Sequence, residues 1–171
     1  MKITVRQEKA IDFEDITLLN DIAFGQEHEG LLVERLRKKT PFVKALSRVA
    51  VFENSIVGHI LFYPVKIVNE LTEYESLALA PMSVIPELQN MEIGSQLVKD
   101  GLETAKNLGF KSVIVLGHKD FYPRFGFSPA VNWKIKAPFE VPDEVFMAIE
   151  LLPGGLMAVS GTVLYPIEFN M

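Results

Sequence analysis

The chain has 171 residues, 49% of them hydrophobic and 23% charged, with a formal net charge of −5 and no cysteine. That size suits one domain with a sizeable core, and the acid excess argues against nucleic acid as a main partner and mildly favours a cationic substrate such as an amine. Without thiols, disulfides, thiolate metal sites and a cysteine nucleophile are excluded; the apolar runs are too short for a membrane span and Met1-Lys2-Ile3-Thr4-Val5 lacks a signal core, so a cytoplasmic protein with no membrane partner is expected.

Ile3 and Val5 alternate with polar residues and predict a short first strand. Asp12 is placed to cap a helix over 13–24 whose inner face carries Ile16, Leu19 and Ala23. After a break at Gly25-Gln26-Glu27-His28, a second helix is expected over 29–39 with Leu32, Val33 and Leu36 inward, ended by Thr40-Pro41. Three strands follow, Ser47–Glu53, Ile56–Val68 and Tyr74–Ile85. Their short connections, Asn54-Ser55 and Asn69–Glu73, predict an antiparallel meander.

The stretch 77–109 organises the rest. An apolar strand ends in a tight loop that opens into a helix over 94–108, with Leu97, Val98, Leu102, Ala105 and Leu108 on one face. Gly109 reads as its stop, with Lys106 in the last turn. Such a helix entrance presents unpaired N–H groups and the positive end of the helix dipole, a setting suited to phosphate. Pro81 cannot donate to a sheet ladder, so it implies an edge or a bulge. Apolar residues on both faces of that strand favour the bulge.

Lys111–Leu116 is apolar throughout its core, as expected of a buried strand parallel to 74–85 and joined to it by the helix. Asp120 is placed to cap a short helix ended by Gly126. The tail from 128 carries strands at Trp133–Lys136, Val145–Leu151 and Gly161–Leu164. No linker divides the chain, so a single domain over 1–171 is expected, with a core of about 1–130 and a substrate-side segment over 131–171. The fold class is α/β (α+β): a mixed, mostly antiparallel central sheet flanked by helices, with a central parallel strand pair splayed at a bulge.

Two motifs carry a resemblance. Val84-Ile85-Pro86-Glu87-Leu88-Gln89 followed by Ile93-Gly94-Ser95 resembles the acetyl-CoA loop of GNAT-type N-acetyltransferases, whose pattern is Gln/Arg-x-x-Gly-x-Gly/Ala. Gln89 stands first and Gly94 last. Phe121-Tyr122-Pro123-Arg124-Phe125-Gly126-Phe127 resembles the family's tyrosine-bearing short helix. The order of elements over about 1–130 is similar too. Gly58-His59-Ile60-Leu61-Phe62, Leu116-Gly117-His118 and the tail residues Gly161, Tyr165, Pro166 and Phe169 resemble an uncharacterised bacterial subgroup of that family.

The resemblance implies an N-acetyltransferase moving an acetyl group from acetyl-CoA, as co-substrate, to a primary amine on a small molecule or a protein by direct attack. It implies cofactor-binding residues Met82, Ser83 and Val84 on the strand edge and Gln89, Asn90, Met91, Glu92, Ile93, Gly94 and Ser95 on the loop and helix entrance. It assigns Tyr122 the role of general acid, beside the plainer reading in which the ring packs with Phe121, Phe125 and Phe127. His118 is a candidate base or a hydrogen-bonded structural residue. Glu29 is a candidate substrate-binding carboxylate or a helix-dipole charge. His59, among apolar strand neighbours, reads as structural.

His28, His59 and His118 have no metal-ligand spacing, so no metal is expected. Glu92 departs from the pattern, since the family usually has glycine there. If the backbone needs an unusual angle, that exchange costs roughly 0.5–1 kcal/mol. A carboxylate 4 Å from a phosphate charge is repelled by about 4 kcal/mol at an effective dielectric near 20, and far less if it swings to solvent. A catalytically silent acyl-CoA-binding or interaction module is therefore the alternative. A dinucleotide-binding oxidoreductase is disfavoured because residues 7–12 contain no glycine. The oligomeric expectation is a monomer or a homodimer.

Overall fold

A computed structural model of the chain describes residues 1–170. They form strands β1 (Thr4–Gln7), β2 (Ser47–Phe52), β3 (Ser55–Val68), β4 (Glu73–Val84), β5 (Ser112–Leu116), β6 (Ser128–Pro129), β7 (Ile135–Lys136), β8 (Phe146–Glu150) and β9 (Gly161–Leu164). The helices are α1 (Phe13–Phe24), α2 (His28–Arg37) and α3 (Ile93–Asn107). The architecture is mixed α and β, with a mostly antiparallel sheet, one central parallel pair and flanking helices. Residues group into two compact units, Met1–Tyr63 with Ala80–Thr104 and the chain from Ile167, and Pro64–Leu79 with Ala105–Pro166; β3 and β4 contribute to both.

In the first unit β1 pairs antiparallel with β2, and β2 with β3. Alternation along the strands sends Val49, Leu61 and Tyr63 to one face, where they pack with Ile16, Leu32, Val33 and Leu36 of α1 and α2. The opposite face meets α3. Arg48 reaches Asp100 at 2.6 Å, and a Cβ at Gly58 would touch Leu97 and Ile93. Leu97 and Val98 are fully buried, each such side chain contributing about 1.5–3 kcal/mol.

Asp12 does not cap α1. Its carboxylate is taken by Arg6 at 2.6 and 3.0 Å and by the Lys9 N–H at 2.7 Å, so α1 starts without a side-chain cap. The helix α2 stops at Arg37, two residues short of expectation, and passes into a turn in which Lys39 N–H bonds Leu36 O. At the end of α3 the expected stop is in place. Gly109 has φ +91, its N–H bonds Lys106 O, and Phe110 N–H bonds Ala105 O, a Schellman arrangement that needs the left-handed residue.

Two strands carry an extra residue: β3 at Val57, between the pairs Val51↔Ile56 and Ala50↔Gly58, and β4. Asn69 N–H bonds Thr72 O at one end of the β3–β4 hairpin, and Ile85 N–H bonds Val57 O at the other. Between those bonds β3 advances twelve residues, Val57 to Asn69, while β4 advances thirteen, Thr72 to Ile85. The added residue is a bulge on β4, in the stretch that holds the cis Ala80–Pro81 peptide bond. Pro81 thus sits inside a long strand without breaking it.

In the second unit β4 and β5 are parallel through Leu77↔Val113 and Ala78↔Ile114, and β8 runs antiparallel on the other side of β5. Val65, Ile67, Ala78, Ile114, Ala148 and Val163 share one core. The tail differs in detail from expectation. Of the strand expected at Trp133–Lys136, Trp133 closes a 3-10 turn over Ala130–Trp133 and only Ile135–Lys136 pairs with β9, and Ser128–Pro129 adds a short strand on β8. Asp120 is exposed and does not cap the turn at Tyr122–Phe125, which begins at Phe121.

Candidate active site

The first unit holds the loop and its helix. The earliest backbone bond of α3 runs from Gln96 N–H to Glu92 O, at 3.0 Å. The N–H groups of Ile93, Gly94 and Ser95 therefore precede the intrahelical ladder, at the positive end of the dipole. The loop before them is sharply bent. Asn90 has φ +62 and Glu92 φ +63, so two residues with side chains occupy the left-handed region. The exchange of glycine for Glu92 thus falls where glycine would relax the backbone, as the sequence suggested. Gln89 braces this loop, its Nε2 donating to Val84 O at 3.1 Å.

The strand end beside the loop is divided by its pleat. The Ile85–Val57 bond sets alternate residues of β4, Ile85 and Ser83, with their backbone groups toward β3. Met82 and Val84 then direct theirs away from β3 and form an open edge, with Val84 O already engaged by Gln89. Of the three strand residues expected at the cofactor, Ser83 contributes no edge group. The residue is 4% exposed and its Oγ is buried with no hydrogen-bond partner.

The first unit also holds Glu29. It lies in the first turn of α2, half-buried, and accepts Gln26 Nε2 at 2.9 and 3.1 Å. Nearby, burial raises the Asp21 carboxyl above its ordinary range, reinforced by the charges of Glu27, Glu34 and Glu29. The α1–α2 corner is thus an acidic environment.

The second unit holds Tyr122 and His118. The His118 carbonyl accepts Phe121 N–H at 3.1 Å and Tyr122 N–H at 3.4 Å, so this residue organises the turn while its side chain is exposed. Tyr122 is buried, edge-on to Phe121 at 5.0 Å and to Phe127 at 5.6 Å. Burial pushes its phenol up to about 12. Gly117 was not singled out for a role in the sequence, yet a Cβ there would enter the Tyr122 ring. The tail bounds a groove of about 470 Å³ lined by Val131, Phe139, Val141, Phe146, Lys136 and Glu140, among others.

Among the described residues no group of three or more His, Cys, Asp or Glu side chains could hold a metal ion, and no helix is long and apolar enough to cross a membrane. The model of the acetyltransferase (GNAT) family matches residues 13–127, two-thirds of the chain. This chain belongs to the GNAT acetyltransferase family. The family assignment makes it an N-acetyltransferase, and its relatives agree. It is 39% identical to the uncharacterised N-acetyltransferase YjhQ of Escherichia coli K12 over 134 residues, 78% of this chain and 74% of that protein. The crystal structure of the GNAT protein YhbS of Escherichia coli, in complex with CoA, superposes with a TM-score of 0.92 at 27% identity, covering 100% of this chain and 93% of that one. A GNAT acetyltransferase of Brucella melitensis in complex with acetyl-CoA gives a TM-score of 0.80 at 28% identity, covering 98% of each.

Proposed function

We propose that this GNAT protein transfers an acetyl group from acetyl-CoA to a primary amine, on a small molecule or a protein, by direct attack of the amine on the thioester. The observation that carries the reading is the bent loop Gln89–Ser95. It is braced to the strand end and leads into the entrance of α3, where three N–H groups precede the helix's own hydrogen bonds. The CoA held by YhbS and the acetyl-CoA held by the Brucella protein support the same carrier here.

In this reading the N–H groups of Ile93, Gly94 and Ser95 hold the diphosphate. Met82 and Val84 pair with the two amides of the pantetheine arm as with an added strand. The bound carrier supplies an activated acyl group. A backbone N–H of the same edge, beside the bulge, polarises the thioester carbonyl and stabilises the oxyanion. Holding amine and thioester in line contributes roughly 7–11 kcal/mol.

Tyr122 is assigned to the leaving sulfur. A thiol releases its proton near 8.5, whereas burial holds the Tyr122 phenol near 12. Complete proton transfer is then uphill by roughly 5 kcal/mol. Its part is therefore a hydrogen bond that strengthens as negative charge grows on sulfur. His118 is assigned to take up the amine proton as general base. Glu29 is assigned to hold the cationic acceptor within the acidic corner.

Thiol release from acetyl-CoA against a panel of amines tests the proposal. Saturable, amine-dependent release is expected, with kcat lowered about 10²-fold in Tyr122→Phe. A protein that binds acetyl-CoA yet releases no thiol with any amine contradicts it.

A further inference from the structure

His59 lies on β3 of the first unit and is fully buried. On the β2 side Ser47 Oγ stands 2.9 Å from His59 Nε2. The same hydroxyl is 2.6 Å from Glu8 Oε2, and Glu8 is gripped by Arg37 through two bonds of 3.0 Å. Ser47 has one proton, and the Arg37-bound carboxylate accepts it. The contact with His59 must then run from Nε2–H to Ser47 Oγ, which fixes the tautomer. Nδ1 is left as a bare acceptor, and it is buried with no hydrogen-bond partner.

On the other side stands Ser83. Counted back from the Ile85–Val57 bond Ser83 falls across from His59, and a Cβ built at Gly58 would lie 3.3 Å from Ser83 O, so the two stretches adjoin; residues opposed in this way project to the same face, with Cβ atoms roughly 5 Å apart. Ser83 Oγ is likewise buried and without a partner. One atom can only accept and the other can donate, and both belong to opposed residues on one face. Leaving both unmet forfeits the full desolvation cost of each group.

We infer that the Ser83 hydroxyl donates to His59 Nδ1, completing a one-way relay from Ser83 through His59 and Ser47 to Glu8 and Arg37, and that this relay positions the strand edge at Met82 and Val84. Rotation of the Ser83 side chain makes the bond. Because Ser83 lies between the two edge residues, anchoring its side chain under the sheet fixes the pleat that points their N–H and C=O groups outward. Burial, with Arg37 adding to it, pushes His59 down to about 3, so the imidazole stays neutral and the relay keeps its direction across the physiological range. Ser83 and His59 are positioning residues, and their functional consequence rests on the acetyl-CoA reading above.

Nitrogen-15 NMR of histidine-labelled protein reads the relay without any turnover. The proton of His59 is expected on Nε2. Ser83→Ala is expected to move the Nδ1 resonance to that of an unbonded nitrogen while Nε2 stays in place, and Ser83→Thr to restore it. In parallel, Ser83→Ala raises the KM for acetyl-CoA roughly three- to tenfold with a smaller change in kcat. A proton on Nδ1 in the wild-type protein overturns the inference even if a variant fails to fold. So does an Nδ1 resonance unmoved by Ser83→Ala. Failure of the wild-type protein to bind acetyl-CoA would instead overturn the carrier assignment, leaving the NMR result to decide the relay.

Discussion

Gly117 and Tyr122 are in such close approach that no side chain fits between them. The backbone at 117 lies against the Cδ2–Cε2 edge of the ring, and a β-carbon would overlap it. The glycine lets Tyr122 fold back beside the end of β5 and hold its ring between Phe121 and Phe127. Gly117→Ala is expected to displace the ring, at a cost of about 1–3 kcal/mol in stability, and to lower kcat toward that of Tyr122→Phe. Denaturant unfolding and steady-state kinetics on both variants check this. An alanine variant with unchanged kcat would mean that the ring's position does not matter to the reaction.

Two tyrosines should make folding sensitive to alkali. Burial pushes the phenols of Tyr122 and Tyr165 up to about 12, against about 10 in an unfolded chain. Above pH 10 the unfolded state has lost protons that the native state keeps, so stability falls as pH rises from about 10 to 12. Each tyrosine accounts for on the order of 2 kcal/mol of that loss. Unfolding measured from pH 8 to 12 should show the decline in the wild-type protein and a shallower one in Tyr122→Phe and in Tyr165→Phe.

Glu92 combines a left-handed backbone with a negative charge at the helix entrance. Glu92→Gly relaxes the backbone, by roughly 0.5–1 kcal/mol, but removes an acid that favours the helix N-terminus by a similar amount. The thermal midpoint should therefore barely move. Acetyl-CoA, carrying a diphosphate, should bind roughly three- to tenfold more tightly, because the carboxylate is exposed and its repulsion is screened. Asn90→Gly, at φ +62, relaxes the backbone without a charge change and serves as the control. Calorimetric titration of the three proteins separates the two effects.

Much of this was legible in the chain itself, where local chemistry and tertiary context agree. Gly109 and Lys106 mark the end of α3, and the strand expected at Gly161–Leu164 has those bounds in β9. Pro81 signalled the bulge because a proline in a buried strand has few other uses. The misreadings share a cause. Asp12 looks like a cap, but Arg6, six residues away, takes its carboxylate. Trp133–Lys136 alternates like a strand, yet Trp133 ends a 3-10 turn and Lys134 turns left-handed, so the strand begins only at Ile135. The Arg37–Glu8–Ser47–His59 network joins residues 12 to 39 positions apart and leaves no pattern in the sequence.

That network should be costly to break. Glu8 and Arg37 are nearly buried, with side-chain exposures of 3% and 12%. Glu8→Ala strands the guanidinium and the Ser47 hydroxyl, and is expected to destabilise the protein by about 3–5 kcal/mol. Ser47→Ala removes one link and should cost about 1–3 kcal/mol. Denaturant midpoints at constant slope measure both. A loss below 1 kcal/mol for Glu8→Ala would show that the pair is solvated in solution.

A crystal soaked with acetyl-CoA tests the central claim most directly. The account predicts the diphosphate on the N–H groups of Ile93, Gly94 and Ser95, with the pantetheine amides paired to Met82 and Val84. Density for the carrier elsewhere on the protein, or a diphosphate that avoids the entrance of α3, would contradict it.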